Sequence, residues 1–387
     1  MKENISLYIH YPFCRSKCPY CDFNSYRVDG FNVSEFLEAY LREISHYSEI
    51  LGGRTVDTVF FGGGTPSLAS VEFLGIILDW IGKLFRLNDG AEISLEANPT
   101  TFEIGKFREF RSIGINRLSI GIQSLNDRSL EFLGRTYSRI EALAAIDMAQ
   151  KCFGGNYSID MIYARPGQKI QGWLEELEEA ATLSPNHLSL YQLTIEPGTE
   201  FHRRGVRPPE GDGAARMYEI TGEFLDSRGI PLYEISNYAR GGHECLHNLN
   251  YWNSGEWLGI GAGAHSRLCL CDTFVDAQRE RTAMVNLKNP VEWQRSAMEY
   301  GHGRETLACL TKKETVEEIL LMGLRLRNGI KIDNVKKYLA LESGSLRELL
   351  ADGYGYLVDG NYIEVSDNNI RVPVEYLRIL DSIVERL

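Results

Sequence analysis

Between Ser6 and Leu193 the chain repeatedly alternates a short run of β-branched or aromatic residues with a longer amphipathic segment, which restricts it to βα units on a parallel sheet. Strands are expected at Ser6 to His10, Thr58 to Phe61, Glu92 to Ala97, Leu118 to Ile122, Ser158 to Tyr163 and Leu188 to Leu193. Val33, Phe36, Leu37, Tyr40, Leu41, Ile44 and Tyr47 recur at helical spacing, and further helices are expected around Phe73 to Phe85, Gly105 to Ile113, Ile140 to Gln150 and Trp173 to Leu183. Six such units are too few to close an eight-stranded barrel. The expectation is therefore an α/β chain with a partial (β/α)6 barrel, open on one side, with its chemistry at the C-terminal ends of the strands.

A helix at Ala214 to Ser227 and a run at Leu232 to Ile235 lead into a glycine-rich, aromatic stretch. After about residue 305 the pattern changes to helices at Val316 to Leu326, Val335 to Leu341 and Leu346 to Leu350, short strands near Tyr362 to Val365 and Ile370 to Val372, and a last helix from Val374. The chain thus divides into a barrel over 1–235, a connecting region over 236–305 and a small C-terminal winged-helix-like α+β domain over 306–387. The helix Leu346-Arg-Glu-Leu-Leu-Ala-Asp is not basic and the net charge is -12, which argue against nucleic acid and against an anionic membrane surface. No apolar run of roughly 18 residues suggests a membrane span. Eight cysteines without an apolar leader suit a reducing cytoplasm.

Three of those cysteines are Cys14, Cys18 and Cys21, in the run Tyr8-Ile-His-Tyr-Pro-Phe-Cys-Arg-Ser-Lys-Cys-Pro-Tyr-Cys-Asp-Phe. A structural zinc site normally gathers four ligands, usually as two close pairs, and no second pair of that kind follows closely. His10 is a conceivable fourth ligand, but on a strand-like stretch packing is its plainer role. Three thiolates suit one [4Fe-4S] cluster whose remaining iron stays open to chelation by the amino and carboxylate groups of S-adenosylmethionine.

The second strand ends in Phe60-Phe61-Gly62-Gly63-Gly64-Thr65-Pro66, where glycines permit close backbone approach to a ligand. Glu96, Gln123 and Asp160 stand at the ends of later strands, and Arg135 follows the fourth. On a barrel these polar groups converge on one mouth, where carboxylates suit ribose hydroxyls or an ammonium and an arginine suits a carboxylate. Taken singly, each reads equally as a cap or a surface residue.

Together these motifs resemble the radical S-adenosylmethionine superfamily, and within it the oxygen-independent coproporphyrinogen III dehydrogenase (HemN-like) group, over nearly the whole chain. The resemblance implies that Tyr8, Glu96, Gly62, Gly63, Gly64 and Thr65 contact S-adenosylmethionine, and that Tyr20, Gln123, Arg135 and Asp160 contact it too, or a second molecule of it. The dehydrogenases carry a fourth cysteine two residues after the third, whereas here Cys21 is followed by Asp22-Phe23-Asn24-Ser25. That loop is similar instead to the HemW heme chaperones, as is His247-Asn248-Leu249-Asn250-Tyr251-Trp252, which fits their His-Asn-x-x-Tyr-Trp heme motif.

By this resemblance His247 ligates heme iron axially and Tyr251 and Trp252 offer flat apolar surface, with His243 and Cys245 as alternative ligands. From the residues alone, one histidine in a loop reads as a hydrogen-bonded structural group, and both readings stand at this point. The resemblance implies a cytoplasmic heme carrier with a heme donor, an acceptor such as a membrane respiratory enzyme, at most peripheral membrane contact and a possible homodimer. The alternative is a coproporphyrinogen III dehydrogenase of porphyrin biosynthesis, so whether the chain is an enzyme stays open. Three features depart from the pattern. Tyr163-Ala164-Arg165-Pro166 is expected to place a cation near the mouth, Cys269 and Cys271 have no family role, and the C-terminal Leu-Thr-x-x-Gly run is missing.

Overall fold

The computed structural model describes residues 4–29, 31–184, 186–209, 212–270, 281–336, 355–366 and 368–386. Cys271 and the expected helix Leu346 to Leu350 lie outside the described residues. Six parallel strands run in chain order: β1 (Ile5–Tyr11), β2 (Thr55–Gly63), β3 (Arg86–Ala97), β4 (Arg117–Gln123), β5 (Tyr157–Tyr163) and β6 (His187–Gln192). They alternate by face. Leu7, Ile9, Val59, Phe61, Leu95, Leu118, Ile120, Ile159 and Leu188 pack under helices Val33–Leu51, Val71–Leu84, Arg139–Phe153 and Ile170–Leu183 in one apolar core. The opposite face carries Ser6, Thr58, Ser119, Ser158 and Asp160, joined by hydrogen bonds such as Thr58 Oγ1 to Ser6 Oγ at 2.8 Å and Ser119 Oγ to Ser158 Oγ at 2.9 Å. The strands therefore enclose a polar interior.

The sheet continues beyond the six expected strands. β8 (Asn237–Ala239) adds antiparallel to β6, β7 (Leu232–Glu234) pairs antiparallel with β8 at the edge, and β9 (Trp257–Ile260) lies parallel to β1 on the other side. β10 (His265–Leu268), β11 (Thr282–Asn286) and β12 (Arg304–Cys309) follow β9 antiparallel, giving twelve strands in one open mixed sheet. In the C-terminal part, helix Lys312–Gly323 starts at a Thr311/Glu314 capping box, and Ile330–Lys331, Asn369–Arg371 and Glu364–Val365 form a small antiparallel sheet. The last helix begins as a 3-10 turn over Val374–Ile379 and becomes α-helical only at Leu380–Val384. No helix among the described residues is long and apolar enough to cross a membrane.

One buried carboxylate ties the β9–β12 extension to the barrel. Glu43, on the inner face of Val33–Leu51, is 0% exposed and accepts from Gly303 N (2.8 Å) and Asn286 Nδ2 (3.0 Å) on Oε1, and from Gly261 N (2.9 Å) and Trp293 Nε1 (3.0 Å) on Oε2. Burial raises its carboxyl to about 7 against the opposing pull of these donors. Below about pH 4.5 this group's contribution to stability is complete, and it declines as pH rises to about 7. Glu43→Gln turns an amide N–H towards two donors, so we expect a loss of about 2–4 kcal/mol in urea unfolding. The wild-type stability relative to this variant should shrink between about pH 5 and pH 8, since only the wild type carries the raised carboxyl.

Candidate functional site

The cysteine loop closes on itself at its base. Phe13–Cys14 pairs in parallel with Tyr26–Arg27, Tyr26 N donates to Pro12 O at 2.7 Å and Val28 N to Cys14 O at 2.9 Å. Cys14, Cys18 and Cys21 are all half-buried in it, and Cys21 N turns back to Cys18 O at 3.0 Å. Burial pushes the Cys14 thiol up to about 11, Cys21 and Cys18 push the same way, and the Thr65 hydroxyl and Arg135 guanidinium oppose them. The three sulfurs thus share one electrostatic neighbourhood.

Both flanks of the loop are pinned. On one, Phe201 N donates to Pro19 O at 2.8 Å, Arg135 Nη2 donates to the Tyr20 hydroxyl, and a Cβ at Gly134 would stand 2.4 Å from Pro19 Cδ. On the other, Asn24 Nδ2 donates to Ala262 O and Lys288 O, both at 3.0 Å. Asn24 O meets His10 Nε2 at 2.9 Å, and His10 Nδ1 meets the Tyr8 hydroxyl at 3.0 Å. Burial lowers His10 to about 4, so the ring is neutral. A carbonyl only accepts, so Nε2 carries the proton and Tyr8 donates to Nδ1. His10 is a packed strand residue that joins Tyr8 to the loop.

The glycine turn lies against this loop. A Cβ at Gly64 would stand 2.7 Å from Phe13 O, one at Gly63 2.5 Å from the His10 ring, and one at Gly62 2.9 Å from Tyr8. Gly63 also has φ +115°, which disfavours any side chain. The turn's glycines are thus required by the protein's own atoms as well as by any ligand.

Around the same mouth, Glu96 Oε2 accepts from Gly63 N at 2.9 Å, and burial together with nearby Asp160 raises Glu96 to about 7. Burial also raises Asp160, whose oxygens accept from Ser119 at 2.8 Å and Ser158 at 3.2 Å. Gln123 ends β4 with φ +64°, a left-handed conformation that costs a side-chain-bearing residue about 1 kcal/mol or more. A cavity of about 40 Å³ opens between Cys18, Thr65, Asn98 and Arg135, and Arg135 Nε is buried without a partner. The Cys18 thiol, the Thr65 hydroxyl and an orphaned guanidinium nitrogen therefore border one polar space.

His247 lies elsewhere. It stands on a seven-residue helix, Leu246–Trp252, not in a loop, and is 1% exposed. Glu92 receives the helix's N-terminus, accepting from Leu246 N at 3.1 Å, His247 N at 3.2 Å and Cys245 Sγ at 3.5 Å. Thr58 and Glu92 are five residues before the ends of β2 and β3, about 16 Å along a strand, so this helix lies at the floor of the barrel and the cysteines at its mouth. Thr58 Oγ1 spends its proton on Ser6 and meets His247 Nδ1 at 2.6 Å, so Nδ1–H donates to Thr58. Burial lowers His247 to about 3, leaving Nε2 an acceptor for the Tyr251 hydroxyl at 2.7 Å.

Other sequence expectations fall differently. Arg165 does not serve the mouth: it is buried in an ion pair with Glu176 on helix Ile170–Leu183. Phe23, at the place of the fourth cysteine of the dehydrogenases, is 61% exposed. Cys269 is half-buried, its backbone N–H donating to Glu256 at 2.7 Å. The sequence assigns no role to Asn98, just past the end of β3, or to Asn24, inside the cysteine loop, and the structure makes both hydrogen-bond partners of the mouth.

Residues 8–180 match the family described as the Radical SAM superfamily. The chain is 36% identical to the mouse "Radical S-adenosyl methionine domain-containing protein 1, mitochondrial" over 98% of its length and 86% of that protein. It is 33% identical to "Heme chaperone HemW" of Haemophilus influenzae over 98% of its length and 97% of that protein, and 40% identical to the Escherichia coli protein of that name over 72% and 73%. Its fold resembles that of the Escherichia coli coproporphyrinogen III oxidase HemN with a TM-score of 0.83 at 21% identity, over 100% of this chain and 90% of that one.

The contact between turn and loop yields a test. Gly64→Ala should lower thermal stability by about 2 kcal/mol or more and abolish iron uptake, because backbone rather than a flexible side chain blocks the new Cβ. Gly172→Ala, in helix Ile170–Leu183 with nothing within 4 Å, should leave iron uptake unchanged and stabilise slightly.

Proposed function

The chain belongs to the HemW branch of the radical SAM superfamily, and from this we propose that it is a heme-trafficking protein. In this reading it binds a [4Fe-4S] cluster, S-adenosylmethionine and heme, and hands the heme to an acceptor hemoprotein. The observation that carries the reading is a mouth with three cysteines and, at the place of the dehydrogenases' fourth, an exposed phenylalanine.

Cys14, Cys18 and Cys21 suit the cluster as a donor set: three half-buried thiols in one loop, with burial holding Cys14 protonated against the pull of the Thr65 hydroxyl and the Arg135 guanidinium until a metal replaces the proton. Arg135, with an orphaned Nε, suits the carboxylate of S-adenosylmethionine. Glu96, raised to about 7, is held ionised when an ammonium enters beside it. In this reading Tyr8, Tyr20, Gln123, Asp160 and the turn Gly62, Gly63, Gly64, Thr65 complete the contacts to S-adenosylmethionine. Once bound, cluster and S-adenosylmethionine supply one-electron reductive cleavage, and the protein's part is to orient and shield it.

Heme enters as cargo. His247 has the arrangement of a metal-ligating imidazole: neutral, fixed by Nδ1–H to Thr58, with the Nε2 lone pair covered only by Tyr251. Ligation through Nε2 requires the Leu246–Trp252 helix to leave the barrel floor and the Tyr251 hydroxyl to withdraw. In this reading residues 1–235 hold the cluster, 236–305 the heme motif and 306–387 dock the acceptor.

Anaerobically reconstituted protein titrated with heme should develop a Soret band that His247→Ala removes. Tyr251→Phe, which uncovers Nε2, should tighten heme binding, by about threefold to tenfold if one hydrogen bond is released. A Soret band untouched by His247→Ala, with the variant folded, refutes the assignment of the ligand. Absence of heme binding by the wild type refutes the carrier reading.

A further inference from the structure

Asn98 bridges the guanidinium of Arg135 and the sulfur of Cys14. Arg135 Nη1 donates to Asn98 Oδ1 at 3.2 Å, Asn98 Nδ2 donates to Thr65 Oγ1 at 3.1 Å, and Thr65 Oγ1 donates to Cys14 Sγ at 3.4 Å. Each link fixes the direction of the next. A guanidinium only donates, so the Asn98 oxygen faces it and the amide nitrogen faces Thr65. The threonine hydroxyl has one proton, and with Asn98 donating to its oxygen that proton points at the sulfur. Thr65 is 5% exposed, so little water competes for it. A chain that begins at a fixed positive charge is polarised along its length, which strengthens the last bond.

A hydrogen bond to a ligand sulfur stabilises the more negative, reduced form of an iron-sulfur cluster and so raises its reduction potential. We propose that Thr65 and Asn98 are positioning residues that set the potential of the cluster through Cys14, with Arg135 as the charge behind them. This rests on the cluster reading above and adds a role that contact with S-adenosylmethionine does not require. It also makes the three ligands unequal. Ser25 Oγ lies 3.7 Å from Cys21 Sγ, longer than the Thr65 bond, and the Lys17 ammonium donates to the Ser25 carbonyl at 3.4 Å rather than to its hydroxyl, so Cys14 is the sulfur more strongly served. Occupancy of the space beside Arg135 by an anionic group would compete for the guanidinium and weaken the chain, coupling ligand binding at the mouth to the ease of reduction.

The test is a redox titration of the reconstituted full-length protein, followed by EPR of the reduced cluster, without S-adenosylmethionine so that ligand contacts play no part. Thr65→Val, which keeps the β-branched shape, should make the ratio of reduced to oxidised cluster about tenfold lower at a fixed potential, 59 mV for a one-electron couple. Thr65→Ser should restore the wild-type value. Asn98→Ala should shift the potential in the same direction by less, and adding it to Thr65→Val should produce no further shift, because the amide acts through the hydroxyl. A wild-type potential in Thr65→Val, or additive shifts in the double variant, overturns the proposal. If Thr65→Val fails to hold a cluster, Asn98→Ala decides alone, since it keeps every thiol and the hydroxyl. A wild-type chain that takes up no cluster overturns the reading beneath the proposal instead.

Discussion

The approach of the Gly64 backbone to the Phe13 backbone is the constraint on which the mouth of the barrel depends. Gly64 N donates to Tyr11 O at 2.7 Å and Thr65 N to Phe13 O at 2.9 Å, so the turn after β2 is hydrogen-bonded to the chain just before the first cysteine. Only glycine allows that spacing. From this contact the Thr65 hydroxyl reaches Cys14, Gly63 N reaches Glu96, and Asn98 reaches Thr65. Strand ends that are far apart in sequence are thereby joined to the cysteine loop before any ligand binds, which is the preorganisation a reactive cofactor needs.

The barrel has two chemically different ends. Its mouth gathers the thiols, the Glu96 and Asp160 carboxylates and Arg135. Its floor is closed by the Leu246–Trp252 helix, held by Glu92 and by the His247–Thr58 bond. Between them Tyr8 touches both, through its bond to His10 above and its ring 6.4 Å from that of His247 below. The polar strand face that makes this possible is balanced by the apolar outer face under the helices, where the stability of the barrel resides.

What could be read in the sequence was local. The βα alternation and the cysteine spacing are periodic or contiguous signals, and the six parallel strands follow them. β9 is four residues long and contains Gly259, so it leaves no such signal, and its place beside β1 is set by the long-range bonds of Glu43. The same holds for Arg165: the expectation of a cation at the mouth considered the turn alone, whereas Glu176 on the next helix draws the guanidinium into the core. A helix of seven residues is too short to show periodicity, so in the sequence His247 has the look of a loop residue. Its partners Thr58 and Glu92 lie more than a hundred and fifty positions away in the chain.

The central claim is a cluster held by three cysteines with one iron open to S-adenosylmethionine. Electron-nuclear double resonance of the reduced cluster with S-adenosylmethionine labelled at its amino nitrogen and carboxylate oxygen tests it most directly. The account predicts resolved coupling of both labels to the cluster, lost when Cys14, Cys18 or Cys21 is replaced. A cluster that assembles in the wild type yet shows no coupling to either label would contradict it.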